Sequence, residues 1–489
     1  MQPCAMRMPP SPSWRMCCGW RGRSRLSCSG CERYYPRYAI TMCATHCNLG
    51  NVGQNFAALR EYRRRMLMNS FRIKAAVGRW AAERGALRRL AQIYLQLRSP
   101  LIRRGRPVTA VLSLGEHGHA YSAARAVKAL GHRVLLITDS PQLHEMVYAD
   151  ALLLRNPLTE IETILNELEG FKLEAVMVSV AQLLLPVQDR IATRFGLIAC
   201  GAQSAEFSND KLAWRDALAE AGVPQPLYSQ DPAEFDGKAC IRKARKGSGS
   251  TGIVQLGPED DKVAYAGPGY FFESIIDGDE YDLEGVVEDG VPRILARVYE
   301  RFIERNGTFV PHFYLFNPPL DPARQAALDA CTTATLAACR VENGAFHIEM
   351  FMNGDRAEPV DFANRMGIYE RFVSFASGVD FAQEHANRFL PRKRTLAAGT
   401  PRALLQYYCW TQEEFDRACA IRDANPDRVF DANMTPHDRC GEQCLGMIAF
   451  FHDDHAALLE MTYGLRVRVP QRLDTDDDGA VPAQAAITA

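Results

Sequence analysis

The hydrophobic and polar positions of this chain change their period along its length. Residues 1–65 show neither a helical nor a strand period. Residues 69–98 repeat apolar side chains near every 3.6 positions with arginines between them, which predicts a basic amphipathic helix. From Pro107 onward, short apolar runs alternate with helical segments. Strands that alternate with helices predict an α/β domain with an open parallel sheet.

The strands predicted for this sheet are residues 108–114, 133–138, 151–154, 175–180 and 197–199. Gly115 and Gly118 lie in the loop after the first strand, at the carboxyl end where such sheets bind ligands. His117 and His119 in this loop are more typical of loop or substrate contacts than of metal ligands.

The segments after residue 204 change to a mixed α+β pattern. Residues 205–222 predict a helix that Ser208 or Asn209 caps, with Asp210 in its first turn. Residues 240–300 predict strands joined by turns, and residues 321–339 predict a long helix. Two further strands, 345–352 and 358–363, flank a turn at 353–355.

The charge of the chain is divided unevenly. Residues 1–107 hold 21 basic and three acidic side chains, whereas the rest holds 36 basic and 55 acidic ones. The acidic part is typical of a cytoplasmic globular enzyme. For the basic helix, packing on this acidic body is favoured over binding to a membrane surface.

Residues 1–65 are rich in Arg, Cys, Ser and Pro and predict a disordered extension, or a region translated from a start codon placed too early. Met66 or Met68 would then be the start. Cys28 and Cys31, followed by Cys43, His46 and Cys47, keep open a zinc-binding or nucleic-acid-binding module. We expect no nucleic-acid partner.

The remaining cysteines are scattered, which predicts reduced thiols and no disulfide framework. The chain has no apolar run of the roughly 20 residues needed to cross a bilayer, so we expect no membrane span.

A lysine and a small-residue loop are the first sign of chemistry. Lys243 ends an apolar run, and residues 247–252 that follow are only Gly, Ser and Thr. Such a loop brings backbone N–H groups close to an anion, and the lysine adds a positive charge. The loop alone is equally typical of a plain surface loop, and it is not a Walker loop.

Other polar residues lie on either side of this loop in a fixed order. Lys211 lies near a helix start before the loop. Glu273 and Glu280 follow it, seven residues apart. Strand alternation places His347, Glu349 and Phe351 on one face, and the apolar Ile348, Met350 and Met352 on the other. By the same rule Asp361, Ala363 and Arg365 share a face.

This order and spacing, over roughly residues 108–375, resembles the ATP-grasp superfamily of carboxylate–amine/thiol ligases. The resemblance implies a Rossmann-like parallel α/β domain, two α+β subdomains that grip ATP, and a small C-terminal mixed region. The predicted boundaries are 1–65 for the extension, 66–106 for the basic helical arm, 107–204 for the first α/β domain, 205–390 for the ATP-grasp domain, 391–471 for the C-terminal region and 472–489 for a disordered tail.

The resemblance also implies a role for each of these residues. Lys211 and Lys243 would neutralise the ATP phosphates, and Ser248, Gly249 and Ser250 would close over them. Backbone atoms of Glu273, Ser274 and Ile276 would contact adenine, and Glu280 would bind the ribose. Glu349 and Asp361 would hold Mg²⁺, or Mn²⁺ in its place, and Arg365 would stabilise the transferring phosphoryl group.

Two residues depart from the family pattern. Ala244 replaces the proline that usually follows the second lysine. Ala363 stands where the family often has a metal-binding asparagine, and Asn364 lies one position away. A regular strand would point Asn364 away from the metal, which leaves the number of metal ions open.

The reaction implied is ATP-dependent ligation of a small-molecule carboxylate to an amine through an acyl phosphate. Amino-acid or peptide-like substrates and natural-product precursors are the substrate types that the resemblance implies. Two alternatives stay open: a carboxylase of the same fold that uses bicarbonate, and a nucleotide-binding protein without catalysis. Homodimers are common in the family.

Overall fold

The computed structural model describes residues 85–103, 107–115, 120–247, 252–306, 308–439 and 441–467. The predictions for residues 1–65, for His117 and His119, for Ser248, Gly249 and Ser250, and for the tail lie outside these residues.

The first layer is a four-stranded parallel sheet in the order β3-β2-β1-β4. Its strands are β1 (Val108–Leu112), β2 (Arg133–Thr138), β3 (Ala151–Leu154) and β4 (Leu173–Met177). The helices before and between them are α1 (Gly85–Arg103), α2 (Tyr121–Ala129), α3 (Leu143–Met146) and α4 (Ile161–Leu168). The predicted open parallel sheet is confirmed, but residues 197–199 form no strand.

The basic helix α1 packs against the α/β domain, as the favoured interpretation expects. Leu95 is buried, and the Ser99 hydroxyl donates a hydrogen bond to the carbonyl of Leu152 on β3 over 2.9 Å. Arg88 donates to the Ser140 hydroxyl over 2.8 Å. These contacts attach α1 through packing and neutral acceptors.

Three helices connect this domain to the next: α5 (Leu185–Phe195), α6 (Ala202–Phe207) and α7 (Lys211–Glu220). The helix predicted over 205–222 is thus two helices. Asp210 is the N-cap of α7, not a first-turn residue, because its carboxylate accepts from the Ala213 N–H over 3.2 Å. This cap fixes the start of α7 and therefore the position of Lys211.

A small antiparallel sheet follows, in the order β5-β8-β6-β7. Its strands are β5 (Tyr228–Ser229), β6 (Cys240–Ala244), β7 (Val254–Leu256) and β8 (Tyr270–Ser274). Phe235, Cys240, Leu256 and Phe272 form its own small core. The loop predicted to cover the phosphates connects β6 to β7.

The largest layer is an eight-stranded sheet in the order β13-β12-β9-β10-β11-β14-β18-β15. Its strands are β9 (Asp279–Glu288), β10 (Val291–Arg305), β11 (Thr308–Phe316), β12 (Gly344–Asn353), β13 (Arg356–Ala363), β14 (Ala403–Cys409), β15 (Val429–Asn433) and β18 (Gly446–His452). The strands β16 (His437–Arg439) and β17 (Glu442–Cys444) pair separately. The helices that accompany this layer are α8 (Pro322–Ala338), α9 (Glu370–Ser377), α10 (Phe381–Phe389), α11 (Gln412–Ala424) and α12 (His455–Met461).

One face of this sheet forms the main hydrophobic core. Ile348, Met350 and Met352 of β12 all lie in it, with Trp214 and Leu218 of α7. The predicted alternation along β12 is therefore confirmed, and the opposite face is left for polar chemistry. From residues 391–471, β14, β18 and β15 complete the same sheet, whereas β16 and β17 form a separate two-stranded sheet.

Among the described residues, seven cysteines are free thiols. No helix in the described ranges is both long and apolar enough to span a bilayer.

Candidate functional site

The two predicted phosphate lysines converge on β13. The Lys211 ammonium forms an ion pair with the Asp361 carboxylate. The Lys243 ammonium donates to the carbonyl of Val360, the preceding residue, over 3.1 Å. Burial by itself would raise the pKa of Asp361, but Lys211 and Lys243 hold it below its ordinary value.

Glu273 has a role that its sequence position did not reveal. Its carboxylate lies 2.9 Å from the Lys243 ammonium and 2.6 Å from Nε of Arg215, and all three side chains are buried. Burial would raise the pKa of Glu273, yet the two cations lower it to about 2. Arg215 also donates to the carbonyl of Pro359 over 2.8 Å, which connects α7 to β13. Glu273 therefore holds Lys243 in place through its side chain, while its predicted backbone contact with adenine stays a prediction.

A small apolar cluster lies beside these charges. It consists of Ile241, Ile276, Phe351 and Val360, which come from both antiparallel sheets and the segment between them. An apolar wall of this kind suits the faces of a purine ring. Ser274 is already engaged, since its N–H donates to the carbonyl of Leu227 over 2.9 Å. A contact between Ser274 and adenine would need an atom other than this N–H.

Glu349 and Asp361 are direct cross-strand partners on β12 and β13. The Glu349 Oε1 atom lies 3.3 Å from Nε2 of His347, whereas Oε2 is buried and has no hydrogen-bond partner. A buried anionic oxygen without a partner is costly. The residues therefore fit a divalent cation, and Glu349 and Asp361 are predicted to hold it.

His347 lies between two glutamates. Its Nδ1 atom is 2.9 Å from Oε1 of Glu284 on β9, and its Nε2 atom faces Glu349. The other Glu284 oxygen accepts from the N–H of Gly367 over 3.2 Å. Burial would lower the pKa of His347, but Asp282 and Glu284 raise it well above its ordinary value. Strand alternation placed His347 on this face without indicating a function for it.

Asp282 and Glu300 extend the group of buried acids. Burial raises the pKa of Asp282 to about 7, and the neighbouring Glu349 carboxylate contributes to the shift. Burial and the charge of Asp282 raise the pKa of Glu300 well above its ordinary value. The Tyr369 hydroxyl donates to Glu300 over 2.7 Å. A strand pattern could have found part of this group, because Glu280, Asp282 and Glu284 occur at every second position.

Glu280 is buried on β9, directly opposite Phe351 on β12 and Glu300 on β10. This position puts it next to the apolar cluster. Its contact with the ribose stays a prediction.

The family departure at Ala363 has a clear structural outcome. Ala363 lies opposite His347, and its methyl side chain offers no atom that could bind a metal ion. The Asn364 amide donates to the carbonyl of Ala345 over 2.7 Å and accepts from the Ser204 hydroxyl over 2.9 Å. The Asn364 side chain therefore contacts α6 and the backbone of β12 and points away from the polar face, as the regular alternation predicted.

Arg365 lies where the sheet meets the α/β domain. Its guanidinium donates to the carbonyl of Met366 over 3.0 Å, and it approaches the Gln182 side chain at 3.5 Å. Two other basic side chains near the sheet have acidic partners. Arg297 pairs with Asp329, and Nε2 of His312 lies 3.1 Å from Glu414.

Comparison with known proteins agrees with this geometry. A family model described as an ATP-grasp domain matches residues 259–368. No curated protein sequence matches the chain.

Solved structures resemble most of the chain. L-amino acid ligase from Bacillus licheniformis has a TM-score of 0.58 at 15% identity, covering 74% of this chain and 97% of its own. Phosphoribosylglycinamide synthetase from Anaerococcus prevotii has a TM-score of 0.55 at 11% identity, covering 74% and 98%. N5-carboxyaminoimidazole synthase from Aspergillus clavatus, solved with ADP and 5-aminoimidazole ribonucleotide, has a TM-score of 0.56 at 12% identity, covering 74% and 98%.

At these identities the solved structures establish the fold. The family match adds the domain that carries Glu273, Glu349 and Asp361. The resemblance to the ATP-grasp superfamily is thereby confirmed: residues 259–368 carry an ATP-grasp domain, and the chain has the ATP-grasp fold.

Proposed function

We propose that this protein is an ATP-dependent ligase that activates a small-molecule carboxylate and joins it to an amine. The observation that carries the proposal is the meeting of opposite charges at β13. Lys211 and Lys243 converge there beside the facing carboxylates of Glu349 and Asp361. Cations for phosphates and carboxylates for a metal ion are thus available at one position.

The chemistry has two balanced steps. An oxygen of the substrate carboxylate attacks the γ-phosphorus of ATP, and the bond to the β-phosphate oxygen breaks to release ADP. The amine then attacks the carbonyl carbon of the acyl phosphate, phosphate leaves, and the nitrogen loses a proton to give the amide. Bound magnesium would supply Lewis-acid stabilisation of the phosphate oxygens.

The residues of this chain would bind and orient the reactants. Lys211 and Lys243 would balance the phosphate charge, Glu349 and Asp361 would hold the metal, and Arg365 would stabilise charge on the transferring group. The Lys211–Asp361 ion pair would open, so that Asp361 could hold the metal and Lys211 could contact the phosphates. Water exclusion is assigned to residues 248–250, on their sequence alone.

Several structural neighbours support the class of reaction. An L-amino acid ligase and a phosphoribosylglycinamide synthetase are among the proteins whose fold this chain shares. Their names favour amide formation from a carboxylate and an amine.

The test is a substrate panel with ATP and Mg²⁺, scored for ADP release. Amino acids and small carboxylates would be offered singly and in pairs, with hydroxylamine in parallel to trap an acyl phosphate. We expect ADP and hydroxamate only when a suitable carboxylate is present, and an amide when an amine is added.

Two results would contradict this proposal and identify a different function. ADP release that requires bicarbonate would identify a carboxylase. Measurable ATP binding with no ADP from any pair would identify a nucleotide-binding protein without catalysis.

A further inference from the structure

The polar face of the large sheet carries a row of carboxylates on three neighbouring strands. Glu349 of β12 lies directly between Asp361 of β13 and Asp282 of β9 in the strand register. The two flanking acids differ in their surroundings. Lys211 neutralises Asp361, whereas Asp282 is 1% exposed and has Glu300 as a second acid beside it. The carboxylate that Lys211 does not engage is therefore the one on the β9 side of Glu349.

We propose that Asp282, His347 and Glu349 form a divalent-cation site that prefers Mn²⁺ to Mg²⁺. One ligand atom from each of these residues lies within 4.8 Å of the others, and all three residues are buried. The proposal rests on the proposed function, because the site faces the predicted ATP cleft. It shares Glu349 with the Glu349–Asp361 pair implied by the family resemblance and adds Asp282 of β9 and His347 of β12, so it lies beside that pair.

An unpartnered atom points to a ligand at this position. Glu349 is 6% exposed, and its Oε2 atom accepts no hydrogen bond. Buried carboxylate oxygens in folded proteins almost always have a hydrogen-bond donor or a cation as partner. A metal ion between Glu349 and its two neighbours would provide that partner.

The orientation of His347 suits metal binding. Glu284 accepts from Nδ1 at 2.9 Å, which leaves Nε2 on the side of Glu349. Histidine ligands commonly donate their other ring N–H to a carboxylate, and this contact fixes the ring and its tautomer. The Gly367 N–H in turn holds Glu284. The Nδ1 contact that would orient a metal-bound His347 is therefore already present.

The donor set decides the choice of metal. Two carboxylates and one imidazole offer two hard oxygens and one softer nitrogen. Mg²⁺ takes oxygen ligands and keeps its waters, whereas imidazole nitrogen binds first-row transition metals more readily. Ala363 removes the family's amide oxygen from the opposite side. The site accordingly favours Mn²⁺ over Mg²⁺.

The test is binding of Mn²⁺ alone to the full chain, without nucleotide, followed by electron paramagnetic resonance. We expect saturable binding, and spin-echo modulation from the ¹⁴N nucleus of one imidazole. Mg²⁺ should displace the bound Mn²⁺ only at concentrations at least about tenfold higher. His347→Gln should abolish the ¹⁴N signal, and Asp282→Asn should weaken Mn²⁺ binding at least about tenfold.

His312→Gln is the matched control, because His312 also lies beside a glutamate, at 3.1 Å, but outside the site. It should keep wild-type Mn²⁺ binding. Absence of ¹⁴N modulation in the wild-type protein overturns the proposal, and so does unchanged Mn²⁺ binding in folded Asp282→Asn. The wild-type spectrum tests the proposal by itself, so the test does not depend on the folding of any variant. Mn²⁺ binding without any ligase activity would reject the proposed function and keep the metal site.

Discussion

Asp361 lies opposite Glu349 across β12 and β13, yet its ion-pair partner is Lys211 of α7. The contact joins α7 to β13, an edge strand of the large sheet. It also places a positive charge where ATP phosphates and metal would bind. In the proposed function, metal binding and this ion pair would therefore compete for the same carboxylate.

Lys243→Met should reduce kcat/KM for ATP by about 10² to 10³, because it removes one of the two cations proposed to balance the phosphate charge. The measurement is steady-state ADP release once the substrate panel has given an active pair. Lys262→Met is the matched control. Lys262 is as buried as Lys243, but its ammonium donates to the carbonyls of Gly257, Pro258 and Asp260. An equal loss in both variants would show that stability, not phosphate binding, accounts for the effect.

Much of this site could be predicted from the alternation of residues along individual β-strands. Alternation along β12 predicted the face of Glu349, and the same rule predicted that Asn364 would point away from it. The ion pairs could not be predicted this way. Arg215 and Glu273 are 58 positions apart, and a helix residue gives no sign of which strand it will meet.

The helix boundaries show a second limit. Residues 205–222 predict one helix that Ser208 or Asn209 caps, but Asp210 is the N-cap of α7. An Asp within a helical pattern can either continue the helix or cap the start of a new one. The hydrogen bond from the Ala213 N–H to the Asp210 carboxylate shows that Asp210 is a cap. The C-terminal strands are harder still. β14 pairs with β11 across about 90 positions, and no local pattern records that partner.

Glu273→Gln should destabilise the fold by about 3–5 kcal/mol near neutral pH, because it leaves Arg215 and Lys243 buried without their anion. The free energy of unfolding would be measured by urea denaturation. Glu358→Gln provides the comparison, since Glu358 pairs with the exposed Arg356. A loss below about 1 kcal/mol in Glu273→Gln, the scale of a surface ion pair, would contradict the buried anchor.

The low pKa of Glu273, about 2, also predicts acid sensitivity. A carboxylate whose native pKa lies below its unfolded value stabilises the fold above the unfolded pKa and loses this contribution as pH falls. The loss should occur between about pH 4.5 and pH 2. In Glu273→Gln the unfolding free energy should fall less steeply across this window than in the wild-type protein. An unchanged slope would rule out Glu273 as its source.

His385 predicts a separate change at milder pH. Its Nε2 donates to the carbonyl of Val178 at the end of β4 over 2.6 Å, and its Nδ1 accepts from the N–H of Ala345 on β12 over 2.9 Å. Acceptance at Nδ1 requires the neutral ring. Burial lowers the pKa of His385 from 6.5 to about 4.

Because the native pKa is the lower one, His385 stabilises the fold above pH 6.5 and loses this contribution as pH falls toward 4. The wild-type melting temperature should fall across this window. His385→Gln should start lower and fall less steeply. The partly buried His437 serves as the control position, since its ring contacts the carbonyl of Thr435. A His385→Gln profile parallel to the wild type would exclude this histidine as the titrating group.

Gly367→Ala should disturb the metal face without touching a proposed ligand. A methyl group at this position would lie 1.7 Å from Oε1 of Glu284, the oxygen that orients His347. Glu284 is fully buried and cannot move aside without breaking its contact with Nδ1 of His347. We therefore expect Mn²⁺ binding to weaken at least about tenfold, the scale on which such outer contacts affect metal affinity. Gly464→Ala is the control, because its methyl group would meet only Ile421 at an ordinary 3.8 Å. If Gly367→Ala binds Mn²⁺ as the wild type does while its melting temperature falls, Gly367 supports the fold alone and Glu284 does not transmit its position to the metal.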